Sequence, residues 1–241
     1  MHKKDLKLSI IVPTYNEQRT IKELIQYVRQ VAYPIDYEII IVDDASVRRA
    51  KQEDMADFFK EATASGKIKI FQNPNNRGKG FSIRKGIEES EGDIIIVQDA
   101  DNEYDPHDIP KLLEPILNYQ AHVVYGSRFL KCRWPKGMAT ANWLANRFLT
   151  RLTNILFGLN LTDMETCYKV FRADLIKGLP LKTNRFTFEP EVTALLVKRG
   201  IAIVELPINY QGRTAKEGKK IKAKDFLFAV GVLLWQRIKR N

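Results

Sequence analysis

The stretch IIIVQDADNEYDP, residues 94–106, runs from four apolar residues, Ile94 to Val97, almost directly into a cluster of acids, Asp99, Asp101, Glu103 and Asp105. A short, continuous apolar run bounded by polar residues reads as a strand buried on both faces, and such strands belong to parallel sheets covered by helices. In those sheets ligands gather beyond the carboxyl ends of the strands, which is where these acids stand. Residues two apart at an extended strand end point the same way, so Asp99 and Asp101 present both carboxylates on one side. Paired hard oxygen ligands suit Mg²⁺ or Mn²⁺, which keeps positions open for substrate phosphates. A negative pocket holding such a cation becomes a receptor for a diphosphate. The next stretch, YDPHDIPKLL, has the form of a helix start with Asp105 at the cap and Pro106 in the first turn, so Asp105 is assigned to capping.

The chain upstream repeats this pattern. LSIIVP (8–13) reads as a buried strand, EQRTIKELIQYVRQV (17–31) as an amphipathic helix, and YEIIIVDDAS (37–46) as a second buried strand ending in a polar turn, a βαβ unit. A charged helix near 48–64, a short strand KIKIFQN (67–73), a glycine turn NNRGKG (75–80) and a helix to about Glu89 follow. The polar motifs PTYNE, DDAS and DAD therefore sit at three strand ends. An acid in DDAS suits either a ribose or base, or the backbone amides of its own turn. NRGKG lacks the full spacing of a P-loop, and the structural reading of Gly78 and Gly80, backbone geometry, is preferred.

The second half is less regular. A strand HVVYGSR (122–128) leads into a basic, aromatic segment, and residues 142–156 project as a two-faced helix. Leu144, Phe148, Leu149, Leu152, Ile155 and Leu156 lie on one arc, with Asn146, Arg147, Thr150, Arg151 and Asn154 opposite. YKVFR, a helix near 188–199, a strand AIVELPINY (202–210) and a Lys- and Gly-rich loop (211–225) follow, then an apolar run from Phe226 to Trp235. Ten helical residues span about 15 Å, roughly half a bilayer core, so that run is not expected to cross a membrane.

Composition sets outer bounds. The 241 residues are 44% hydrophobic and 28% charged, which suits one globular domain. Lys and Arg outnumber acids 39 to 29, giving a formal net charge of +10 that favours nucleic acid, anionic lipid headgroups or phosphorylated small molecules. Cys132 and Cys167 have no CxxC spacing or partnering His and are expected to be reduced. The apolar run Leu8–Val12 is too short for a cleavable signal, so a cytoplasmic location is expected.

Taken in order, VPTYNE, VDDAS, NRGKG, QDAD and YGSR resemble glycosyltransferase family 2, and within it, through GSR (126–128) and GRTAKEGKKI (212–221), the dolichyl- or polyprenyl-phosphate sugar synthases. The resemblance implies an α/β glycosyltransferase A-type fold, a Rossmann-like, mostly parallel sheet flanked by helices, with a C-terminal amphipathic helical and basic-loop region. It implies one domain over 1–241, about 1–121 binding the nucleotide sugar and about 122–241 the acceptor. Pro13, Tyr15, Glu17, Val42 and Asp44 would hold the nucleoside. Asp99, Ala100 and Asp101 would hold metal (Mg²⁺ or Mn²⁺) and diphosphate, with Glu103, standing where relatives often have Gln, as a further metal ligand. Arg128 would face the donor diphosphate or a lipid phosphate, and Arg213 with Lys219 keeps a six-residue spacing found in relatives. Asp163 and Glu165 are candidates for a general base, which a hydroxyl acceptor needs and a phosphate oxyanion does not.

The activity so implied is inverting, metal-dependent transfer of a hexose from a GDP-mannose or UDP-glucose type donor to a polyprenyl or dolichyl phosphate, at the cytoplasmic face of a membrane. The helix near 142–156, the apolar tail, Trp134 and Trp143 would meet that surface, with core or oligomer packing as the plainer alternative. The rivals are a family 2 enzyme acting on a glycan or lipid hydroxyl, and a basic nucleic-acid-binding protein. The last has no use for acids at three strand ends, and no nucleic-acid motif is present.

Overall fold

The computed structural model describes residues 5–18, 20–46, 60, 63–64, 66–213 and 223–239. Most of the charged helix expected near 48–64 lies outside them, as do Lys216, Lys219, Lys220 and Lys222.

Seven strands form one sheet in the order β3-β2-β1-β4-β6-β5-β7. They are β1 (Lys7–Thr14), β2 (Asp36–Asp43), β3 (Ile68–Gln72), β4 (Ile94–Val97), β5 (Val123–Ser127), β6 (Lys169–Arg172) and β7 (Val204–Pro207). Leu8 to Val12 and Ile94 to Val97 are almost wholly enclosed, as continuous apolar runs between two helical layers must be. β1 pairs in parallel with β2 on one side and β4 on the other, so the chain changes winding direction there and a crevice opens at the carboxyl ends. All pairings are parallel except the two made by β6, which runs against β4 and β5. Reversal matters for the site, because the amino end of β6 and the loop before it reach the same edge as the carboxyl end of β4. Cys167 Sγ lies 3.6 Å from the Val97 carbonyl there.

The helices are α1 (Ile21–Gln30), α2 (Lys79–Glu89), α3 (Ile109–Leu117), α4 (Thr140–Phe157), α5 (Ala173–Lys177), α6 (Phe188–Lys198) and α7 (Ala223–Ile238). α1 buries Ile21, Leu24, Ile25 and Val28, the i, i+3, i+4, i+7 stripe its sequence announces. α2 approaches β1 so closely at Gly86 that an added Cβ would stand 2.4 Å from Ile11 Cγ2. Asp105 accepts a hydrogen bond from the His107 amide and caps the short 3₁₀ turn Pro106–Asp108 ahead of α3, as expected.

α4 leaves much of its apolar arc uncovered, the outcome that core packing did not anticipate. Its enclosed residues are Leu149, Thr150 and Thr153, at the edge of the apolar arc, while Leu144, Phe148 and Ile155 face outward, Ile155 being 70% exposed. The helix is rotated because Thr150 Oγ1 accepts from the Met164 amide and Thr153 bonds back to the Leu149 carbonyl, so polar atoms take the inner seam. α7 packs beside α4 through Phe148 and Phe226, rings 5.5 Å apart. It buries Ala229 and Leu233 while Leu227, Phe228, Trp235 and Ile238 stay exposed. No helix among the described residues is long and apolar enough to cross a membrane.

Candidate active site

Three parallel strands end in turns that each hold a non-glycine residue in the left-handed region: Asn16 after β1, Ala45 after β2 and Asn102 after β4, all with φ near 55°. Asn tolerates this conformation, whereas Ala45 pays about 1–2 kcal/mol for it, strain of the sort that gathers at ligand sites. The turns bend PTYNE, DDAS and DADNE over one cavity of about 650 Å³. Pro13, Tyr15, Glu17, Asp44, Asp99, Ala100, Asp101, Glu103, Arg128 and Arg213 all line it. Val42 is wholly buried and is not among the residues that line it. Asp163 lies enclosed beneath Arg128, and Lys219 falls outside the described residues.

The acids at the β4 end meet cations from distant parts of the chain. Lys79 Nζ lies 2.8 Å from Asp99 Oδ1 and 3.0 Å from Glu189 Oε1. The Arg213 guanidinium bridges Glu17, with both contacts at 3.2 Å, and Asp101 Oδ2 at 3.1 Å. Even so, burial and then the charges of Asp99 and Glu103 push the Asp101 carboxyl up to about 7. Among the described residues Lys79 and Arg213 are the cations paired with Asp99 and Asp101, and two carboxylates with substrate phosphates are a donor set that Mg²⁺ or Mn²⁺ accepts. Among the described residues no three acidic, His or Cys side chains surround a single point. Glu103, expected as a third ligand, instead accepts from the Arg213 amide at 2.8 Å and from the Tyr210 hydroxyl at 2.6 Å. Both its oxygens hold the segment that presents Arg213.

Asp44 lines the cavity while its carboxylate binds the chain's own amides. Oδ1 accepts from Arg77 N and from Asn73 Nδ2, and Oδ2 from Gly78 N at 2.7 Å. The amides of NRGKG therefore cradle this carboxylate. Gly78, with φ 98°, is obligatory for a related reason, since an added Cβ would lie 2.4 Å from the Asn184 carbonyl.

At the far side Arg128 and Asp163 make a two-pronged ion pair, Nε to Oδ2 and Nη2 to Oδ1, each 2.7 Å, with the Arg128 amide also on Oδ2. Asp163 is thereby fully engaged. Lys79 and Glu189 were not expected at the site. The signal for Lys79 was its place in the first turn of α2, where a cation opposes the helix dipole and needs another reason to be there. Glu189 gave none, because an acid in the first turn of α6 is what that dipole favours.

The profile of glycosyl transferase family 2 matches residues 9–179. The chain belongs to this family. It is 28% identical over 226 residues to the dolichol-phosphate mannosyltransferase of Pyrococcus furiosus, covering 91% of this chain and 60% of that protein. It is also 28% identical over 225 residues to the undecaprenyl-phosphate mannosyltransferase of Micrococcus luteus, covering 89% of this chain and 87% of that one. The chain thus spans less than two thirds of the Pyrococcus protein's length. Among solved structures, glucosyl-3-phosphoglycerate synthase from Mycobacterium tuberculosis, in complex with Mn²⁺, UDP and glucosyl-3-phosphoglycerate, superposes with a TM-score of 0.70 at 19% identity, over 98% of this chain and 82% of that one. That likeness is one of fold, and it agrees with the glycosyltransferase A-type sheet expected from the sequence.

Proposed function

We propose that the chain transfers a hexose from a GDP- or UDP-linked donor to a polyprenyl phosphate, with inversion at C1 and with Mg²⁺ or Mn²⁺. The observation that carries this reading is the composition of a single cavity. Its lining joins Asp99, Asp101, Lys79 and Arg213 to the apolar groups Ala145 and Leu149 of α4, Phe226 and Ala229 of α7, and Met138 ahead of α4. A diphosphate suits the charged groups and an isoprenoid phosphate the apolar ones. The outward apolar side chains of the same two helices, with Arg147, Arg151 and Arg237 on those helices, suit the surface of an anionic membrane in which such a lipid resides. The names of the Pyrococcus and Micrococcus relatives point the same way.

In this reading Pro13, Tyr15 and the wall near Asp44 receive the nucleoside, and Asp99 and Asp101 hold the cation. The cation would supply charge neutralisation for the departing nucleoside diphosphate. Arg213 adds to it, with Lys219 as its expected companion, and Arg128, held rigid by Asp163, presents its remaining donor edge to the acceptor phosphate. The chain's work is alignment of the phosphate oxygen with C1 on the face opposite the leaving group. No strong base is needed. Asp163 is paired, and Glu165 is held protonated near neutral pH by burial and by Glu189, so neither offers a free base to a hydroxyl acceptor.

The test is transfer of radiolabelled sugar into organic-extractable lipid, from a panel of GDP- and UDP-sugars with short polyprenyl phosphates and Mn²⁺ or Mg²⁺. Label that enters the lipid phase with wild type and is lost with Asp101→Ala supports the reading. Metal-dependent nucleotide binding without transfer to any phosphate lipid would redirect it to hydroxyl acceptors.

A further inference from the structure

The loop between α4 and β6 carries a polar group that the proposed chemistry does not use. Glu165 lies on the cavity wall, yet its Oε1 is buried and has no hydrogen-bond partner among the described residues. Lys169, four residues on and wholly enclosed, does not relieve it. Its Nζ donates to the main-chain carbonyls of Met164, at 2.8 Å, and Thr166. A buried polar atom left unpaired costs about 1–3 kcal/mol and is uncommon, so one that faces a cavity marks a contact completed by a ligand. Burial, and then the charge of Glu189, push the carboxyl up to about 8. At neutral pH it carries a proton and can both donate and accept, as a hydroxyl also does.

Its neighbours indicate which part of a ligand it meets. From the acid pair the wall continues through Lys79, 2.8 Å from Asp99, to Glu189, 3.0 Å from Lys79, whose charge acts on Glu165. In a nucleotide diphosphate sugar the hexose is bonded directly to the terminal phosphate. The next groups along the wall from the phosphate end therefore face the hexose. We infer that Glu165 is a specificity-determining residue that hydrogen-bonds a hydroxyl of the donor hexose. The inference rests on the cavity being a nucleotide-sugar site.

Calorimetry in the presence of Mn²⁺ tests it with four probes, UDP, UDP-glucose, GDP and GDP-mannose, on wild type, Glu165→Met and Glu165→Gln. Met nearly conserves the side chain's volume and removes an unpaired buried acid, so folding is not threatened, and Gln keeps a donor and an acceptor. For the nucleotide that binds, the affinity ratio of the sugar-bearing form to the bare diphosphate should fall about tenfold in Glu165→Met. The bare diphosphate should bind all three proteins alike, and Glu165→Gln should keep most of the wild-type ratio. An unchanged ratio in Glu165→Met overturns the inference while leaving the nucleotide-sugar site intact. An equal loss for bare and sugar-bearing forms also overturns it, in favour of a role in shaping the cavity. Wild type that binds none of the four removes the nucleotide-sugar reading and this inference with it.

Discussion

Two acidic segments meet at one edge of the sheet and are treated in opposite ways. In 99–103 each acid is answered from afar: Lys79 reaches Asp99 across 20 residues and Arg213 reaches Asp101 across 112. In 163–169 Asp163 is locked to Arg128 in an enclosed pair, while Glu165, two residues on, has an oxygen with no partner among the described residues. Partners borne on separate elements leave the Asp99 and Asp101 side chains 20% and 19% exposed on the cavity wall, where a side-chain cation can be exchanged for a bound one. An enclosed pair cannot be exchanged without exposing a bare charge. The first segment therefore suits the ligand charge proposed for it, and the second suits shape and hydrogen bonding.

The largest expected effect separates the segments by activity. Asp101→Ala should lower sugar transfer by roughly 100-fold or more, since it removes a carboxylate proposed to hold the charge-neutralising cation, while the melting temperature moves little. A steep fall in melting temperature instead would make Asp101 structural and erase the contrast. Asp163→Asn should do the reverse. It leaves Arg128 buried without its counter-charge, at about 3–5 kcal/mol, or about 6–20 °C in melting temperature for a chain of this size. Replacing both partners, Arg128→Met with Asp163→Leu, should restore much of that stability but not transfer, and a stable, fully active double variant would show that Arg128 does not meet the acceptor.

Smaller effects follow from two buried acids at opposite ends of the sheet. For Glu38 burial raises the carboxyl, but hydrogen bonds from Ser9, the Glu91 amide, Lys69 and Lys7 outweigh it and hold the group at about 2. A depressed folded-state value stabilises above the ordinary 4.5 and ceases to do so as pH falls through 2. Glu38→Gln should therefore cost about 1–3 kcal/mol near pH 7, with the gap to wild type closing between pH 4.5 and 2 in acid-unfolding curves. Glu165 has the other sign. The folded protein keeps its proton up to about 8 where the unfolded chain has lost it near 4.5, so wild-type stability declines across that window. Glu165→Gln should be within about 1 kcal/mol of wild type at pH 5 and should gain on it as pH rises to 8. Equal pH curves for the two proteins would mean that Glu165 is solvated after all.

Legibility followed the same division. The sheet and its carboxyl-end motifs were readable because continuous apolar runs and turn residues are local signals, and DADNE stands where a ligand site is expected in such sheets. Lys79 was passed over because the glycines beside it explained the turn. Glu165, in the loop before the one reversed strand, was named only through the family resemblance and as a candidate base, because a search of carboxyl ends does not reach it. α4 was placed by its periodicity, but which residues form its inner seam was left open, and the hydroxyls of Thr150 and Thr153 take that face because they find backbone partners. Periodicity cannot see partners of that kind.

The central claim is that the β4 acids form a cation and diphosphate site distinct from the loop behind them. Electron paramagnetic resonance of free Mn²⁺, titrated against the protein with GDP or UDP present, tests it most directly. Wild type and Glu165→Gln should bind Mn²⁺ stoichiometrically and Asp101→Ala should not. Undiminished Mn²⁺ binding by Asp101→Ala would contradict the account.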